Sequence, residues 1–516
     1  MKYKKIIYSL LLTAFMIGAD SCSKKKFDIN SNPDDVTDNS VTASVLLPGA
    51  QQATSTTIAS EFWFLSWWMG QGARSGSYQS FTEEETYAFT NDFHVAVWNQ
   101  LYSNATNYNL IINKAAEAGS GIYEAIGRIM KSHNFVLLAD IYGNVPYSEA
   151  FQGTVVATPK YDNAVDVYKG CLADLDLAIE RLHDDDATAG AVNPDIESAD
   201  LIYGGDIESW LKFANTLRLR MLVHLANGIS STTFASDINI GAEVAKFTAE
   251  GFIGEGESAM LNPGFSGSKP NPYYRAFNTN ESGSASQRDW ARANEYAIEY
   301  YKYNGDPRIN RFYVAPGATQ VGIEYGTPSG PAAPIGSALS TVRGPGLTPD
   351  GAASDAWIFT SVESLFLQAE ARQRGILTTG PTAEELTNAA ITESFVWLGL
   401  TEAQATTFIS NNATYPDVDI NAPGGGLFTI ISQKWFALNS IAPYELWTDY
   451  RRTDIVLGEA VGFAAGPPLS VDPGNKAPNI PVRLFYPQNE FNYNAANVAA
   501  QGNINVFTTK IFWDLN

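Results

Sequence analysis

Apolar residues recur every three or four positions along much of the chain, which is the spacing of one face of an α-helix. In the segment 98–118 this stripe holds Trp98, Leu101, Ala105 and Ile112. The same pattern returns in both halves of the chain and predicts a mainly helical fold. The predicted helical segments are 98–118, 123–142, 159–182, 209–228, 363–375, 385–400 and 432–439.

The pattern changes between about residues 251 and 349, where Gly, Ser, Asn and Pro interrupt the chain and aromatic residues are scattered. Within this region only 288–303 keeps a helical period. Because Gly and Pro break regular structure, we predict a loop-rich insertion within one domain that spans residues 41–516. The paired helices on either side suggest a helix-hairpin repeat scaffold, although no strict tetratricopeptide repeat can be written.

The N-terminus has the pattern of an export signal. Lysines at three of the first five positions precede an apolar run at 6–17, and small residues then lead to Cys22. A bilayer-spanning helix needs about 20 apolar residues, so this run is too short. It resembles a bacterial lipoprotein signal, which predicts a signal peptide at 1–21, lipid attachment at Cys22 and a polar tether at 22–40. The alternative is an ordinary secretory signal with an incidental cysteine.

Charge and cysteine content argue against a nucleic-acid partner and against an intramolecular disulfide. The chain has 33 basic and 55 acidic residues and a formal net charge of −22, which disfavours nucleic acid as a partner. If Cys22 is lipidated, Cys171 is the only other cysteine and no intramolecular disulfide can form. We therefore predict that Cys171 is a small buried apolar residue.

Motifs for catalysis and cofactor binding are missing from the sequence. None of the 4 histidines has a metal-ligand spacing, and nucleophile-elbow, dinucleotide and phosphate-loop patterns are absent. Asp417, Asp419 and Asn421 alternate like calcium ligands, but Ala422 and Phe428 replace the required Gly and Glu. We predict an ordinary turn there, with no metal, no cofactor and no catalytic residue. A pair of acids for glycoside hydrolysis needs no fixed spacing, so that alternative stays open.

Six short motifs follow one another in a fixed order along the chain. They are SHNFVLLADIYGNVPYSEAF at 132–151, WLKFANTLRLRMLVHLA at 210–226, NGDPR at 304–308, SVESLFLQAEARQRG at 361–375, YELWTDYRRT at 444–453 and RLFYPQNE at 483–490. Together they resemble the motifs of the SusD/RagB family of surface lipoproteins. The last two carry the W-x-D-Y-R-R-T and R-x-x-Y-P-x-x-E patterns of one branch of that family.

The resemblance implies a mainly α fold of degenerate tetratricopeptide-like helix pairs, in which the loop-rich region forms the ligand face. It also implies a lipid-anchored, outward-facing protein of the outer membrane beside a SusC-like TonB-dependent transporter. The protein would capture glycans without cleaving them. The alternatives are capture of peptides or other oligomers and, more distantly, a lipid-anchored glycoside hydrolase. Acidic residues favour surface export when they follow the anchor cysteine, whereas this chain has Lys24, Lys25 and Lys26.

Arginines within these motifs are predicted to be structural. Arg218 and Arg220 lie in an apolar helical segment and should bind carbonyls or carboxylates of neighbouring helices. Arg451 and Arg452 follow Asp449 and are interpreted as packing salt bridges.

A glycan platform needs exposed aromatic rings beside amides, carboxylates or arginine. Three stretches place aromatic residues beside such polar residues: 67–81, 271–275 and 287–290. If 61–69 is a helix, we expect Trp63 and Phe64 in the core and Trp67 or Trp68 nearer the ligand. Trp68→Ala and Tyr78→Ala should then lower affinity without loss of thermal stability. The predicted ligand contacts are Trp67, Trp68, Arg74, Tyr78, Tyr273, Tyr274 and Trp290.

Overall fold

The computed structural model describes residues 41–187, 192–228, 237–286 and 288–516. The predicted signal peptide at 1–21, Cys22 and the tether at 22–40 lie outside the described residues, and so does Gln287. Residues Ala43–Asn516 form one compact unit.

Helices dominate the described residues, which confirms the predicted mainly α fold. Short 3-10 turns lie at Gly153–Val155, Ala226–Gly228, Gly336–Ala338, Gly351–Ala353 and Glu459–Val461. The α-helices are α1 Ala43–Ser60, α2 Trp63–Trp68, α3 Thr82–Thr86, α4 Val95–Ala118, α5 Gly121–Tyr142, α6 Ala164–Ala187, α7 Ile196–Ala199, α8 Ile207–His224, α9 Ile240–Val244, α10 Pro272–Phe277, α11 Glu295–Tyr303, α12 Ile309–Phe312, α13 Ser361–Gln373, α14 Ala383–Trp397, α15 Glu402–Asn411, α16 Leu427–Ala437, α17 Pro443–Arg452, α18 Gln488–Tyr493 and α19 Ala495–Ala499.

Consecutive helices pack as pairs, as in tetratricopeptide-like scaffolds. Helix α5 lies between α4 and α6, and α6 also contacts α8. In the C-terminal half, α13 packs on α14, and α14 on α15. Each pair buries its apolar stripe against its neighbour, and Cys171 lies in this interior with no exposure, as predicted.

The described strands are short and form two antiparallel pairs. Strand β1, Gly72–Arg74, pairs with β3, Ala291–Ala293. Strand β2, Ala259–Leu261, pairs with β4, Ala356–Phe359. In both pairs at least one strand belongs to the loop-rich region, so each pairing ties that region to the helical scaffold.

The helix predicted at 288–303 is shorter than its periodicity suggested. The chain is extended at β3, and α11 begins only at Glu295. Asn294 caps this helix by accepting a hydrogen bond from the backbone N–H of Tyr296, at 2.9 Å. Pairing with β1 thus overrides the local helical pattern in the preceding residues.

An ionic network fixes the helices of the two halves to one another. Arg220 on α8 binds the Glu363 carboxylate on α13 at 2.5 Å, and Arg452 on α17 binds Glu370 on α13 at 2.6 Å. All four side chains are buried. The structural role predicted for Arg220 and Arg452 is confirmed.

Two other motif arginines also have structural contacts. Arg218 binds Asp176 and Glu243, as predicted for an arginine in an apolar helix. Arg451 differs from the prediction, because it donates to the carbonyl oxygens of Asp140 and Val482 rather than to a carboxylate.

Among the residues that the structure describes, no helix is long and apolar enough to cross a bilayer.

Candidate ligand surface

The pairing of β1 with β3 brings together two segments that are more than 200 residues apart in sequence. Arg74 lies opposite Ala291, and the Ser75 N–H donates to the Trp290 carbonyl at 2.9 Å. The loop that carries Tyr78 therefore lies beside the turn 288–290. Gly72 is required at the start of this strand, because a Cβ there would lie 2.7 Å from Cδ1 of Trp67.

Three half-buried aromatic rings meet at this junction. The Trp290 ring centroid lies 4.8 Å from that of Trp63 and 5.0 Å from that of Phe81. Underneath, the buried ring of Trp67 lies 5.2 Å from Trp290. Such tilted and edge-to-face pairs hold each ring in place while part of each remains exposed.

Polar groups border these rings. The Tyr78 hydroxyl donates to Oδ2 of Asp289 at 3.2 Å, and Nη2 of Arg343 lies 3.5 Å from Oδ1 of the same carboxylate. Burial and the nearby Asp289 charge raise the pKa of Tyr78, so its hydroxyl stays protonated near neutral pH. We call the group Trp63, Tyr78, Phe81, Arg288, Asp289 and Trp290 the Trp63–Trp290 surface.

Arg288 supplies a cation to this surface. Its guanidinium carbon lies 5.6 Å from the Trp63 ring centroid and 5.4 Å from that of Phe277. No ion pair to Arg288 occurs within the described part of the chain, and burial lowers the pKa of its guanidinium. Even when lowered, an arginine pKa leaves the guanidinium charged near neutral pH.

Arg74 has a structural role in place of the predicted ligand contact. The side chain is 2% exposed, and its guanidinium binds the Glu85 carboxylate at 2.7 Å and 3.1 Å. It also donates to the carbonyl oxygens of Tyr78 and Thr327, at 2.6 Å and 2.8 Å. Arg74 therefore fixes the loop that carries Tyr78 without reaching the surface itself.

Three of the predicted aromatic contacts are also interior. Trp67 is 2% exposed, Trp68 is 0% exposed and Tyr273 is 1% exposed. The Tyr273 hydroxyl donates to the Val342 carbonyl at 2.5 Å. These rings support the surface, and the expectation that they face a ligand is corrected. Tyr78, Tyr274 and Trp290 keep exposed area and stay predicted contacts.

The order of core and surface along α2 is the reverse of the expectation. Trp63 is half-buried, whereas the later Trp68 lies 5.6 Å from Trp447 of α17 and 5.1 Å from Phe64. The C-terminal end of α2 packs on α17, and the glycine-rich exit that follows is itself a buried strand. Phe64 is buried as expected.

Four members of this surface are not among the ligand contacts predicted from the sequence: Trp63, Phe81, Arg288 and Asp289. Arg288 and Asp289 lie in a stretch that the sequence did single out, beside Trp290. Phe81 ends the stretch 67–81 that the sequence singled out, but a single aromatic residue in a polar segment is equally typical of a loop anchor. Its place became clear only from the contact with Trp290.

In the calcium-like turn, Asp417 and Asp419 have different hydrogen-bond partners. Asp417 is fully buried and accepts from Nδ2 of Asn304 at 2.7 Å. Oδ1 of Asp419 accepts from the backbone N–H of Asn421 at 2.9 Å, as in an ordinary turn. No group of three or more His, Cys, Asp and Glu side chains suited to a metal ion occurs among the described residues.

Comparisons with known proteins agree with this architecture. A family model, SusD-like_2, described as "Starch-binding associating with outer membrane", matches residues 35–487. No curated protein matches the sequence.

Solved structures share the fold at low sequence identity. A SusD homologue from Bacteroides uniformis has a TM-score of 0.72 at 23% identity, covering 91% of this chain and 99% of its own. A SusD homologue from Bacteroides ovatus has a TM-score of 0.71 at 21% identity, with coverage of 92% and 99%. A chitin-binding SusD homologue from Flavobacterium johnsoniae has a TM-score of 0.70 at 23% identity, with coverage of 91% and 99%. The family model spans most of the chain, and these folds agree with it, so the protein belongs to the SusD-like family.

Proposed function

We propose that this protein is a non-catalytic glycan-binding lipoprotein of an outer-membrane uptake system. It captures an oligosaccharide or polysaccharide at the Trp63–Trp290 surface and delivers it to a SusC-like TonB-dependent transporter. Family membership supports a nutrient-binding role, and one relative of the same fold is described as chitin-binding.

One observation carries the choice of ligand class. Three partly exposed rings lie beside a carboxylate and an arginine that has no ion-pair partner within the described residues. A pyranose has an apolar C–H face that packs on an aromatic ring, and hydroxyls that bind bidentately to carboxylate or guanidinium groups. The surface combines both kinds of contact.

Membrane attachment is the second part of the proposal. The family description names association with the outer membrane, and Cys22 follows a lipoprotein-like signal. A lipid on Cys22 with the polar tether at 22–40 would let the domain reach a transporter in the same membrane. We propose the outward orientation because of the family resemblance. Lys24–Lys26 stand where acidic residues would favour surface export, so surface proteolysis of intact cells is the test of this orientation.

Binding can be tested by affinity electrophoresis and calorimetry against a panel of polysaccharides that includes chitin oligosaccharides and starch. Trp290→Ala and Tyr78→Ala should lower the affinity for the bound glycan about tenfold, which corresponds to about 1.4 kcal/mol each. Tyr493→Ala is a matched control, because this tyrosine is 77% exposed and lies outside the surface. Melting temperatures show whether a variant has lost its fold instead.

Other outcomes identify the alternatives. Release of reducing ends from the bound polysaccharide would establish a hydrolase and overturn the non-catalytic assignment. Capture of peptides with no retardation by any polysaccharide would assign an oligopeptide ligand. Copurification of a large barrel transporter with the tagged, membrane-extracted protein tests the partner, and its absence under mild detergent would contradict the delivery step.

A further inference from the structure

Arg288 differs from the arginines around it in having no protein acceptor. Arg74 binds the Glu85 carboxylate at 2.7 Å. Arg292 on β3 donates to the Gly336 carbonyl at 2.9 Å. Within the described residues, the Arg288 guanidinium makes neither a hydrogen bond nor an ion pair. Because a guanidinium carries five N–H donors, those of Arg288 are left to water or to a ligand.

Two aromatic rings position the Arg288 guanidinium at the surface. Its central carbon lies 5.6 Å from the Trp63 ring centroid and 5.4 Å from that of Phe277. The same two rings line a cleft that opens to solvent. The guanidinium nitrogens are not fully buried, so a ligand can reach them. Contact with two rings restrains the side chain, and less conformational entropy is then lost when it binds a ligand.

Positive charge is in excess at this edge of the surface. Burial and the charge of Arg343 lower the pKa of Arg292, and the Asp289 charge opposes this shift, so the three groups lie close together. Glu61 is the carboxylate whose charge acts on Arg288, but the two make no ion pair. Three arginines therefore face two carboxylates in a chain whose formal net charge is −22.

We infer that the glycan bound at the Trp63–Trp290 surface is acidic, and that Arg288 binds its anionic group, a uronate carboxylate or a sulfate ester. A planar guanidinium binds such oxyanions bidentately and more strongly than it binds a neutral hydroxyl. The apolar face of the same sugar can pack on the neighbouring rings. This inference rests on the proposed glycan-binding function and adds the charge of the ligand to it.

The acidic character of the whole chain does not oppose this contact. At physiological ionic strength, exposed charges are screened over about 8 Å, so distant carboxylates act weakly at Arg288. A partly desolvated ion pair is screened much less. The net charge of −22 also disfavours non-specific attraction of polyanions, so tight binding of an acidic glycan requires a local contact.

Matched polysaccharides that differ only in charge test this inference. Polygalacturonate is compared with its fully methyl-esterified form, and dextran sulfate with dextran, by isothermal titration calorimetry. At least one charged member should bind about tenfold more tightly than its neutral partner, and the difference should shrink as NaCl is raised. The first pair reports a carboxylate and the second a sulfate ester.

Substitutions of Arg288 assign the preference to this side chain. Arg288→Gln removes the charge and should abolish the preference for the charged member, with a smaller effect on the neutral one. Arg288→Lys keeps the charge but loses the bidentate donors, and should weaken binding of the charged member several-fold. Arg181→Gln is the charge-matched control, because Arg181 is a partly exposed residue of α6 outside the surface. Melting temperatures should stay close to wild type, since Arg288 makes no structural hydrogen bond.

The outcomes separate this inference from the proposed function. Equal affinity for charged and neutral members would overturn the acidic ligand and leave glycan binding intact. Binding of no polysaccharide of either kind would overturn both. A charge preference that persists in Arg288→Gln, or in Arg288→Lys without weakening if the first variant does not fold, would overturn the role of Arg288.

Discussion

His224 lies between two carboxylates in the core and makes stability depend on pH. Its Nε2 is 3.1 Å from Oε2 of Glu445, and its Nδ1 is 3.2 Å from Oδ2 of Asp140. The Tyr168 hydroxyl also lies 3.2 Å from Nδ1, and Lys434 binds Glu445 from the other side at 2.7 Å. Burial disfavours the imidazolium, but the two carboxylates outweigh it and raise the pKa of His224 from 6.5 to about 8.

The size of the effect follows from this shift. A rise from 6.5 to about 8 corresponds to about 2 kcal/mol, at about 1.36 kcal/mol per pKa unit. Because the folded state holds the proton more tightly than the unfolded state, the contribution is complete below pH 6.5. It falls as the pH rises through about 8 and has vanished near pH 9.

Urea unfolding of wild type and His224→Gln between pH 6 and pH 9 measures this contribution. The difference in free energy of unfolding between the two proteins should be about 2 kcal/mol larger at pH 6 than at pH 9. Taking the difference cancels the titration of every group that does not interact with His224. Since Gln is neutral and of similar size, it removes the imidazolium charge without opening a large cavity.

Two results would refute this reasoning. A difference that is the same at pH 6 and pH 9 would show that folding leaves the pKa of His224 at its ordinary value. A difference that grows with pH would show that burial outweighs the carboxylates. The two-state fit has to hold at each pH, which is checked by coincident fluorescence and circular dichroism transitions.

Three further substitutions test the roles of buried residues. Trp68→Ala should lower the free energy of unfolding by about 3–5 kcal/mol in urea titrations, because the ring is fully buried; an unchanged value would return Trp68 to the surface. Arg74→Met should cost about 3–5 kcal/mol by leaving Glu85 buried and unpaired, and adding Glu85→Gln should recover part of this loss; no recovery would contradict the pairing. His133→Leu should keep or raise the melting temperature. Neither ring nitrogen of His133 has a well-formed hydrogen bond, and burial lowers the pKa of His133 to about 3, so the buried ring is neutral. A large fall in melting temperature would reveal a polar partner.

The helices differ in how far the sequence could predict them. The segment 98–118 carries an apolar stripe, and α4 spans Val95–Ala118 as that stripe predicts. Helix α1 had no such signal, because its buried face includes Gln51 and Thr54. Those side chains are satisfied by Asp200 and Tyr108, which come from distant parts of the chain. A polar buried face is recognisable only once its partners are known.

Local composition indicated which stretches contribute to the candidate surface, but not which of their side chains are exposed. Clusters of aromatic residues with Gly, Asp and Arg marked stretches that contribute to the candidate surface, including 287–290. Helix α2 is apolar nearly all round, so its periodicity could not tell Trp63 from Trp68. Packing on α17 decided which ring is covered.

By itself, the sequence determined the helical scaffold and the family, because both rest on local apolar periodicity and on short motifs. Tertiary structure decided which side chains form the candidate surface. Pairing of β1 with β3 joins residues more than 200 positions apart, and the exposure of a ring depends on whichever element packs over it. Contacts between distant segments create that covering, and no local pattern encodes it.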